Sequence, residues 1–336
     1  MSGSATASRP GIGIGPFRLK LSGQVFSLLA TLAVCVALYT AASLLYPRFC
    51  SLGVFLNFFT DNAMLGVTAI GMTFVLLSGG IDLSVGAVIG CSSILIAHMV
   101  EQAHWHPVVV IAMVLVLGIA FGTGMGSLIH LFDLPPFLVT LAGMFFCRGI
   151  ALLISTESIS ITHPFYDRLS ALSIRVDRHA TLSLVAMIFL AMLAVAIFVS
   201  LYRPFGRNVY AIGGSQTSAT LMGLPVGTTK IAVYALSGFC SALAGVICTI
   251  YTGSGDATSA TGLELDAIAA VVIGGTLLSG GSGYVGGTLL GVLIYGIIHT
   301  AINFQGTLSS WWIKIAVGVL LLIFIVLQKL LHRKNT

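Results

Sequence analysis

The stretch AIAAVVIGGTLLSGGSGYVGGTLLGVLIYGIIHTAINFQGTLSSWWI, from Ala267 to Ile313, contains no Asp, Glu, Lys or Arg. A helix needs about 20 apolar residues to cross a lipid bilayer, so this uncharged run is too long for a single span. The chain must therefore turn inside the run. The tetrapeptide Leu-Ser-Gly-Gly at 278–281 lies where that turn is needed, because paired glycines permit a tight change of direction.

The composition of the whole chain agrees with this stretch. Of its 336 residues, 57% are hydrophobic and 7% are charged, and the mean hydropathy is +1.06. Soluble domains contain about 25% charged residues, so these values indicate an integral membrane protein. The apolar runs between turn signals predict an all-α fold, a polytopic membrane bundle of about ten transmembrane helices. Two copies of Leu-Ser-Gly-Gly, at 77–80 and 278–281, indicate that the bundle has two related halves. The predicted spans are 24–45, 57–77, 83–100, 107–131, 137–154, 180–201, 231–251, 264–278, 284–301 and 311–328.

Many of the 39 glycines lie four residues apart, as in the series Gly118, Gly122 and Gly126. Small residues at this spacing let membrane helices approach each other closely. We therefore expect these glycines to pack helices against one another rather than to contact a transported solute.

The distribution of basic residues predicts the orientation of the bundle. If the N-terminus is cytoplasmic, nine of the fifteen Lys and Arg residues fall on the inner side, in agreement with the positive-inside rule. The predicted divisions are a cytoplasmic N-terminal tail at 1–23, a transmembrane domain at 24–328 and a basic cytoplasmic tail at 329–336. Both termini are then cytoplasmic, and the longest polar connection between spans on that side, at 202–230, is a cytoplasmic loop.

Leu-Ser-Gly-Gly occurs twice, at 77–80 and at 278–281, and the same four letters open a signature of transporter ATPases. An ATPase needs a phosphate-binding loop with a Gly-Lys pair before Ser or Thr, and the chain contains no Gly-Lys pair. The chain also lacks the patterns His-Glu-x-x-His, Gly-x-Ser-x-Gly and Cys-x-x-Cys. We therefore predict that it is not an enzyme and that it binds no metal and no cofactor.

The two glycine pairs are candidates for hinges or for a solute pathway. Non-helical backbone at membrane depth persists only where it is buried in protein or lines a wet cavity. Glycines that end a span and permit a tight turn are expected at such a place. The candidates are Gly79, Gly80, Gly280 and Gly281.

Charged and amide side chains within the apolar segments are further candidates, since charged groups are costly in a bilayer and are mostly paired or functional. Arg148 lies inside the fifth predicted span, and we expect it to form a structural ion pair with Asp61. Asp82 follows the first glycine pair and is expected to cap the next helix through its side chain. The candidates for the pathway are Asp61, Asn62, Asp82, Asp266 and Asn303.

The cytoplasmic loop contains the stretch FGRNVYAIGGSQTSATLMGLPVGTTK, from Phe205 to Lys230. Ser215 is suited to be the N-cap of a short helix over 216–222, and Gly223 is suited to end that helix. The flanking charges are basic and the stretch holds no acid, which favours docking into the groove of a partner protein. An ordinary surface loop is the alternative.

This loop resembles the cytoplasmic coupling loop of the sugar-type permeases of ABC importers, the ribose-transporter-like family. The resemblance rests on the run Gly-Arg-x-x-Tyr-Ala-Ile-Gly-Gly at 206–214, followed by Ala219 and Gly223. The broader permease pattern Glu-Ala-Ala-x-x-x-Gly falls on 217–223, where Thr217 replaces the acid, so no salt bridge from that acid is implied. The coupling residues that the resemblance implies are Arg207, Ser215, Thr217, Ala219 and Gly223.

Other segments carry the same resemblance over most of the chain. They are DNAMLGVTAIGMTFVLLSGGIDLSVGAVIG at 61–90, PPFLVTLAGMFFCRG at 135–149, ELDAIAAVVIGGTLLSGGSGYVGGTLLG at 264–291 and INFQGTLSSWWIKIAVG at 302–318. The greatest likeness is to the permeases of galactofuranose importers. The family implies two inverted halves, whereas the span count places both Leu-Ser-Gly-Gly segments on the cytoplasmic side, as in a parallel repeat. Both relations stay open.

The resemblance also implies a function and a set of partners. The chain would be a permease subunit that moves a monosaccharide, with galactofuranose as the candidate, across the bacterial inner membrane. An ATPase subunit would bind ATP and Mg, a second permease subunit of the same or a different chain would complete the pathway, and a periplasmic sugar-binding protein would deliver the sugar. The lipid bilayer surrounds the chain, and no nucleic acid is involved. The alternative is an ion-coupled secondary transporter of a small polar solute, which would use acids near the bilayer midplane, where this chain has few.

Overall fold

The computed structural model describes residues 23–178, 180–306, 309 and 311–333. In these ranges the chain is mainly helical, as predicted, with two small two-stranded sheets. The helices are α1 (Gly23–Leu45), α2 (Leu52–Asp61), α3 (Ala63–Leu77), α4 (Val85–Glu101), α5 (Pro107–Leu131), α6 (Pro136–Ile154), α7 (Pro164–Ala171), α8 (Leu184–Tyr202), α9 (Pro204–Gly214), α10 (Gln216–Leu221), α11 (Val226–Thr252), α12 (Leu263–Ile273), α13 (Val285–Gln305) and α14 (Trp311–Arg333). The strands are β1 (Ile159–Ser160), β2 (Ser173–Asp177), β3 (Ala180–Ser183) and β4 (Ser254–Gly255).

The predicted tails fall largely beyond these elements. Residues 1–22 of the N-terminal tail and residues 334–336 of the C-terminal tail lie outside the described residues. Residues 329–333 belong to α14, which therefore runs five residues beyond the predicted end of the last span at 328.

Six helices in the described part of the chain are long and apolar enough to cross a membrane, and the number is seven if the bent pair α2 and α3 is counted as one broken span. The six are α1, α5, α6, α8, α11 and α13, so the protein is a multi-pass membrane protein, but the predicted ten spans are not confirmed. The apolar helix α4 has 17 residues and α12 has only 11. α12 is short because the backbone before and after it is non-helical. Ala257 and Thr276 belong to these two non-helical stretches, and both are buried inside the bundle.

The helices run between two ends of the bundle. α8 has 19 residues and joins the hairpin of β2 and β3 to α9, so it separates these elements by about 28 Å at 1.5 Å per residue. α11 joins α10 to β4, which pairs antiparallel with β1 through Ile159 and Gly255. We call the end with α9 and α10 the segment end. The other end, with β1, α7, β2, β3 and β4, is the hairpin end.

A bend at Asn62 directs α3 into the middle of the bundle. The axes of α2 and α3 differ there by 56°. The backbone N–H of Asn62 and its side-chain amide both donate to the carbonyl of Phe58, at 3.2 and 2.9 Å. The buried amide lies against Gly296 of α13, where an added Cβ would stand 2.5 Å from its nitrogen. All residues of α3 except Met64 are buried.

Glycines bring α5 and α11 into close contact, as the spacing of four residues predicts. A Cβ on Gly118 would lie 2.6 Å from the carbonyl oxygen of Gly238, and one on Gly126 would lie 2.9 Å from the Cα atom of Ile231. Such distances leave room only for hydrogen at these positions. The two helices therefore pack backbone to backbone, which confirms the packing role of this glycine series.

Candidate functional site

The first Leu-Ser-Gly-Gly segment forms a turn between α3 and α4. Gly79 has a φ of +80°, a value that favours glycine, and Gly80 lies so close to the Tyr234 hydroxyl of α11 that a side chain would collide with it. The fully buried Asp82 follows the turn. Its carboxylate accepts hydrogen bonds from the Ser84 backbone N–H and hydroxyl, at 2.9 and 2.6 Å, and from the Ser237 hydroxyl, at 2.6 Å.

These contacts place Asp82 at the start of α4, the helix that it was predicted to cap. The N-cap residue itself is Ser84, whose side chain makes no capping hydrogen bond, and Asp82 holds that residue in place. The bond to Ser237 also fastens the first turn to α11. Asp82 is therefore a structural tie between two elements, and its two oxygens are occupied.

The second Leu-Ser-Gly-Gly segment forms a turn between α12 and α13, which confirms that the long uncharged run changes direction at these glycines. Gly280 and Gly281 have φ values of +85° and +73°. The turn is closed by a hydrogen bond of 2.9 Å from the Leu277 N–H to the Ser282 carbonyl. Residues with a Cβ rarely adopt these φ values, so both glycines are required by the backbone.

The two turns meet each other. The Gly281 N–H donates to the carbonyl of Leu77, at 2.9 Å. A Cβ on Gly280 would lie 2.8 Å from both the Cα and the N of Gly79. Each turn comes after a helix from the hairpin end and leads into a helix that returns there, so the two segments run in the same sense. The inverted relation of two whole halves stays a prediction.

The C-terminal end of α9 joins this contact as a third element. A Cβ on Gly213 would collide with the carbonyl oxygen of Leu77 and lie 2.5 Å from the nitrogen of Gly281. A Cβ on Gly281 would lie 2.6 Å from the Cα of Gly214. We call the contact of Leu77–Gly80, Gly213–Gly214 and Gly280–Gly281 the three-way junction. The four predicted hinge glycines all belong to it.

The segment from Arg203 to Lys230 is a pair of short helices rather than an extended loop. Ser215 is the N-cap of α10, as predicted, because its hydroxyl oxygen accepts from the Ser218 N–H at 3.2 Å. Gly223 follows α10 with a φ of +75°. Arg207 and Thr217 are exposed.

Ala219, however, does not face outward. It is fully buried and packs with Ile212 of α9 and with Val226 at the start of α11. An outward docking role for Ala219 is therefore wrong, because a small side chain is needed there to seat α10 on its neighbours. The outward apolar residues are Leu221 and Met222, which are 85% and 67% exposed.

The predicted ion pair of Asp61 with Arg148 is also wrong. The Arg148 guanidinium donates to the carbonyl oxygens of Ala257 and Ser259, at 2.5 and 3.2 Å. Asp61 is exposed at the hairpin end and accepts from the Tyr251 hydroxyl at 3.0 Å. The loop between β4 and α12 enters the bundle beside α6, so backbone carbonyls satisfy the cation instead of a carboxylate.

Asp266 on α12 forms the ion pair found in the described part of the chain. Its carboxylate is 2.5 Å from the Lys314 ammonium of α14, and it accepts from the Tyr295 hydroxyl of α13 at 3.2 Å. The Asp266 side chain is 9% exposed and that of Lys314 is 48% exposed. This pair joins three helices. Sequence reasoning missed Lys314, although it is the one cation in the last apolar helix before residue 329.

The predicted pathway residues do not form one cluster. Asn62 is buried at the bend of α2 and α3, whereas Asn303 is exposed and contacts His299 at 3.2 Å. Glu264, which the sequence reasoning did not select, lies in the first turn of α12. Its Oε2 atom is buried over Gly86 of α4 with no hydrogen-bond partner among the described residues.

Other features of the described residues offer no alternative site. A groove of about 660 Å³ between α5 and α6 is lined by apolar residues and glycine, so its walls present no side-chain hydrogen-bond partners to a polar solute. No group of three or more His, Cys, Asp or Glu side chains in the described ranges is arranged to hold a metal ion. The carboxylates of α2 and α12 and the three-way junction with its attached segment are therefore the candidate site.

Comparison with known proteins identifies the family that the chain resembles. Residues 54–326 match the family model described as the permease component of the branched-chain amino acid transport system. The inner membrane ABC transporter permease protein YjfF of Escherichia coli is 51% identical over 302 residues, which cover 90% of this chain and 91% of that protein. No solved structure matches the chain.

Two further relatives extend the comparison. The ribose import permease protein RbsC of Bacillus subtilis is 39% identical over 295 residues, with 85% of this chain and 88% of that protein covered. The fructose import permease protein FruG of Bifidobacterium longum is 36% identical over 318 residues, with 92% of each chain covered. The match spans nearly all of the described bundle, including both turns and the segment end, and the chain therefore belongs to the family of ABC transporter permeases that includes the ribose import permeases.

Proposed function

We propose that this permease moves a monosaccharide, with galactofuranose as the first candidate, across the bacterial inner membrane into the cytoplasm. The observation that carries the proposal is the similarity to YjfF and to permeases named for ribose and fructose import over at least 85% of the chain. The ion-coupled alternative is not favoured, because these relatives are named as ABC transporter or import permeases. The galactofuranose assignment rests on the sequence resemblance alone.

The positions of the basic residues support an orientation in which the segment end faces the cytoplasm. Arg203, Arg207 and Lys230 lie there, and basic residues concentrate on the cytoplasmic side of membrane proteins. Both termini are then cytoplasmic and the hairpin end is periplasmic. The periplasmic sugar-binding protein would approach the hairpin end, and a second permease subunit, of the same or a different chain, would complete the pathway.

The ATPase subunit would dock at α10 and would carry ATP and Mg, so this chain needs no catalytic residues of its own. The residues proposed to contact it are Leu221 and Met222, because an exposed apolar pair beside basic residues suits a groove on a partner protein. Arg207 and Thr217 stay as candidates for polar contacts around that pair. Ser215 caps the start of α10, Gly223 follows its end, and Ala219 packs α10 against α9 and α11.

The carboxylates of α2 and α12 suit the hydroxyl groups of a sugar. Glu264 offers an acceptor oxygen without a partner in the described structure, Asp266 lies two residues further along α12, and Asp61 is the last residue of α2. Sugar recognition by hydroxyl, carboxylate and carbonyl groups needs no metal or cofactor. We propose that the sugar enters between these groups and passes toward the three-way junction.

The docking site is tested by Leu221→Glu, with Leu221→Met as the matched apolar control. A carboxylate buried without a partner in an interface costs about 2–5 kcal/mol, which is more than a tenfold loss of affinity. We expect Leu221→Glu to lose co-purification with the cognate ATPase and to lose uptake of radiolabelled galactose, while its amount in the membrane stays unchanged. Leu221→Met should keep both activities.

The function itself is tested by uptake in cells that lack the ATPase. Galactose contains furanose and pyranose forms in solution, and ribose and fructose serve as competitors. We expect uptake to require the ATPase. Uptake that persists without the ATPase and follows an ion gradient would overturn the proposal in favour of secondary transport.

A further inference from the structure

We propose that Gly213 is a positioning residue for transport, through which movement of α9 and α10 shifts both Leu-Ser-Gly-Gly turns together. The inference rests on the proposed function, because the ATPase is the partner that would move α10. It adds the place at which movement of α10 would reach the bundle. That place is the three-way junction, which lies between the docking residues and the interior of the bundle.

The first step is that Gly213 meets the two turns only through their backbone atoms. Gly213 lies against the Leu77 carbonyl, and that same carbonyl accepts the Gly281 N–H at 2.9 Å. Side chains can change rotamer when neighbours move, whereas backbone atoms in van der Waals contact can only move together. A shift of α9 must therefore move both turns or break the contact.

The second step is that α9 holds the turns at two further points. The Tyr210 hydroxyl donates to the Gly283 carbonyl of the second turn, at 3.0 Å. Burial, and secondly the neighbouring Tyr284, raise the pKa of Tyr210 to about 12, so the hydroxyl keeps its proton at neutral pH. The Phe205 ring lies 5.8 Å from the Phe74 ring of α3, measured between centroids. One helix thus holds both the helix before the first turn and the second turn itself.

The third step is that α10 cannot swing independently of α9. A single residue, Ser215, separates the two helices, and it is fixed as the N-cap of α10. Ala219 is packed against α9 and the start of α11. A force on Leu221 or Met222 is therefore passed to α9 rather than taken up by a flexible connection.

The fourth step is that the turns lead to the carboxylates of α12. The first turn continues into α4, and Gly86 at the start of α4 lies under the Glu264 carboxylate. The second turn follows α12, which carries Glu264 and Asp266. A joint shift of the two turns would displace α4 and α12, and with them the carboxylates proposed to contact the sugar.

Gly213 and its neighbour Gly214 give a matched pair of variants. A Cβ on Gly213 would collide with the junction, whereas a Cβ on Gly214 would meet nothing within 4 Å. Neither residue has a positive φ, so alanine is compatible with the backbone at both positions. Gly213→Ala and Gly214→Ala are therefore compared in the full transporter, reconstituted in proteoliposomes with the cognate ATPase, the partner permease and the binding protein.

The readouts are co-purification with the ATPase, ATP hydrolysis and sugar uptake per ATP hydrolysed. We expect Gly213→Ala to keep co-purification and ATP hydrolysis but to lower uptake per ATP by about tenfold, within the range of allosteric couplings. Gly214→Ala should match the wild-type ratio. Equal ratios for Gly213→Ala and wild type would overturn the inference, and so would an equal loss in both variants.

Tyr210→Phe keeps the inference testable even where Gly213→Ala fails to fold. It removes the hydroxyl bond to the second turn without changing the packed ring, so the expected result is a smaller loss of uptake per ATP with assembly unchanged. An unchanged ratio for Tyr210→Phe, with Gly213→Ala unfolded, overturns the inference. Failure of the proposed function can be told apart from failure of this inference, because the wild-type chain would then show no ATPase-dependent uptake.

Discussion

At the scale of single residues, the pair of Asp266 and Lys314 shows how the bundle accommodates a charge in its interior. The carboxylate is nearly buried while the ammonium is half exposed. An exposed ion pair contributes about 0–1 kcal/mol, whereas breaking a buried pair costs about 3–5 kcal/mol. The contribution here is expected between those limits, because only one partner is shielded from solvent.

A double-mutant cycle tests this pair. Lys314→Met leaves the Asp266 carboxylate with the Tyr295 hydroxyl alone, so we expect a lower unfolding temperature of the purified protein in detergent. Adding Asp266→Asn removes the uncompensated charge and should recover most of the loss. Strictly additive effects of the two substitutions would show that the two side chains do not stabilise each other.

The residue scale is also where sequence reasoning was least successful. The sequence correctly marks Arg148 as a cation inside an apolar helix, but it does not reveal which way the helix face points. The partners of Arg148 are backbone carbonyls, which every residue carries, so no sequence pattern distinguishes them. The burial of Ala219 likewise depends on where α9 and α11 meet, and this is a tertiary contact.

At the scale of elements, a carboxylate at the end of α4 binds this helix to the backbone between β1 and α7. Glu101 at the end of α4 accepts hydrogen bonds from the Thr162 N–H and hydroxyl and from the His163 N–H, at 2.6, 2.9 and 3.0 Å. Partial burial acts to raise the pKa of Glu101, but these hydrogen bonds, together with the nearby His163 ring, outweigh it and lower that pKa. The charged form of Glu101 is therefore favoured in the folded protein.

A lowered carboxyl pKa fixes the sign of the pH dependence. The stabilisation is present above the ordinary glutamate pKa and is lost as the pH falls through the lowered folded-state value. We expect amide protection at Thr162 and His163, corrected for intrinsic exchange rates, to hold at neutral pH and to fall only below the ordinary glutamate range. In Glu101→Gln this acid-dependent step should be absent. A step of the same size in the variant would assign it to another group.

Elements were predicted well where their apolar runs are long. The starts of α5, α6 and α14 agree with the predicted spans to within one residue, since turn signals flank these runs. α9 was missed, because Gly206, Gly213 and Gly214 disfavour a helix by propensity. Packing decides otherwise: a Cβ on Gly206 would lie 2.6 Å from the Ser200 Cα, so glycine is what lets α9 fold back against α8.

At the scale of the whole molecule, the sequence has no Gly-Lys pair, which a loop that binds nucleotide phosphates needs. We expect the purified chain in detergent to release phosphate from ATP only at the background rate. Hydrolysis should begin when the cognate ATPase is added. Turnover by the chain alone, purified from cells without that ATPase, would contradict the proposed division of labour between the subunits.

Membrane insertion follows from composition, because a chain with so few charges cannot cover a soluble domain with a polar surface, and the helical class follows from the long apolar runs. The number of spans does not follow as directly. Three central helices, α3, α4 and α12, are shorter than a bilayer needs by themselves, and their ends are completed by non-helical backbone that other helices cover. Sequence hydropathy reports such segments as apolar without showing where the helix stops.

The contact between the two turns also has a consequence for biosynthesis. The Leu77 carbonyl finds its donor at Gly281, and the buried hydroxyl of Thr73 finds Thr288, both on a part of the chain made about 200 residues later. At roughly 5–20 residues per second, the ribosome supplies these partners about 10–40 s after α3 has emerged. For that interval the Leu77 carbonyl lacks its Gly281 donor, whereas the Thr73 hydroxyl already donates to the Ala69 carbonyl of its own helix. The centre of the bundle is thus completed late in synthesis. In a nascent chain that stops before α12, this centre stays exposed to the lipids and to other membrane proteins.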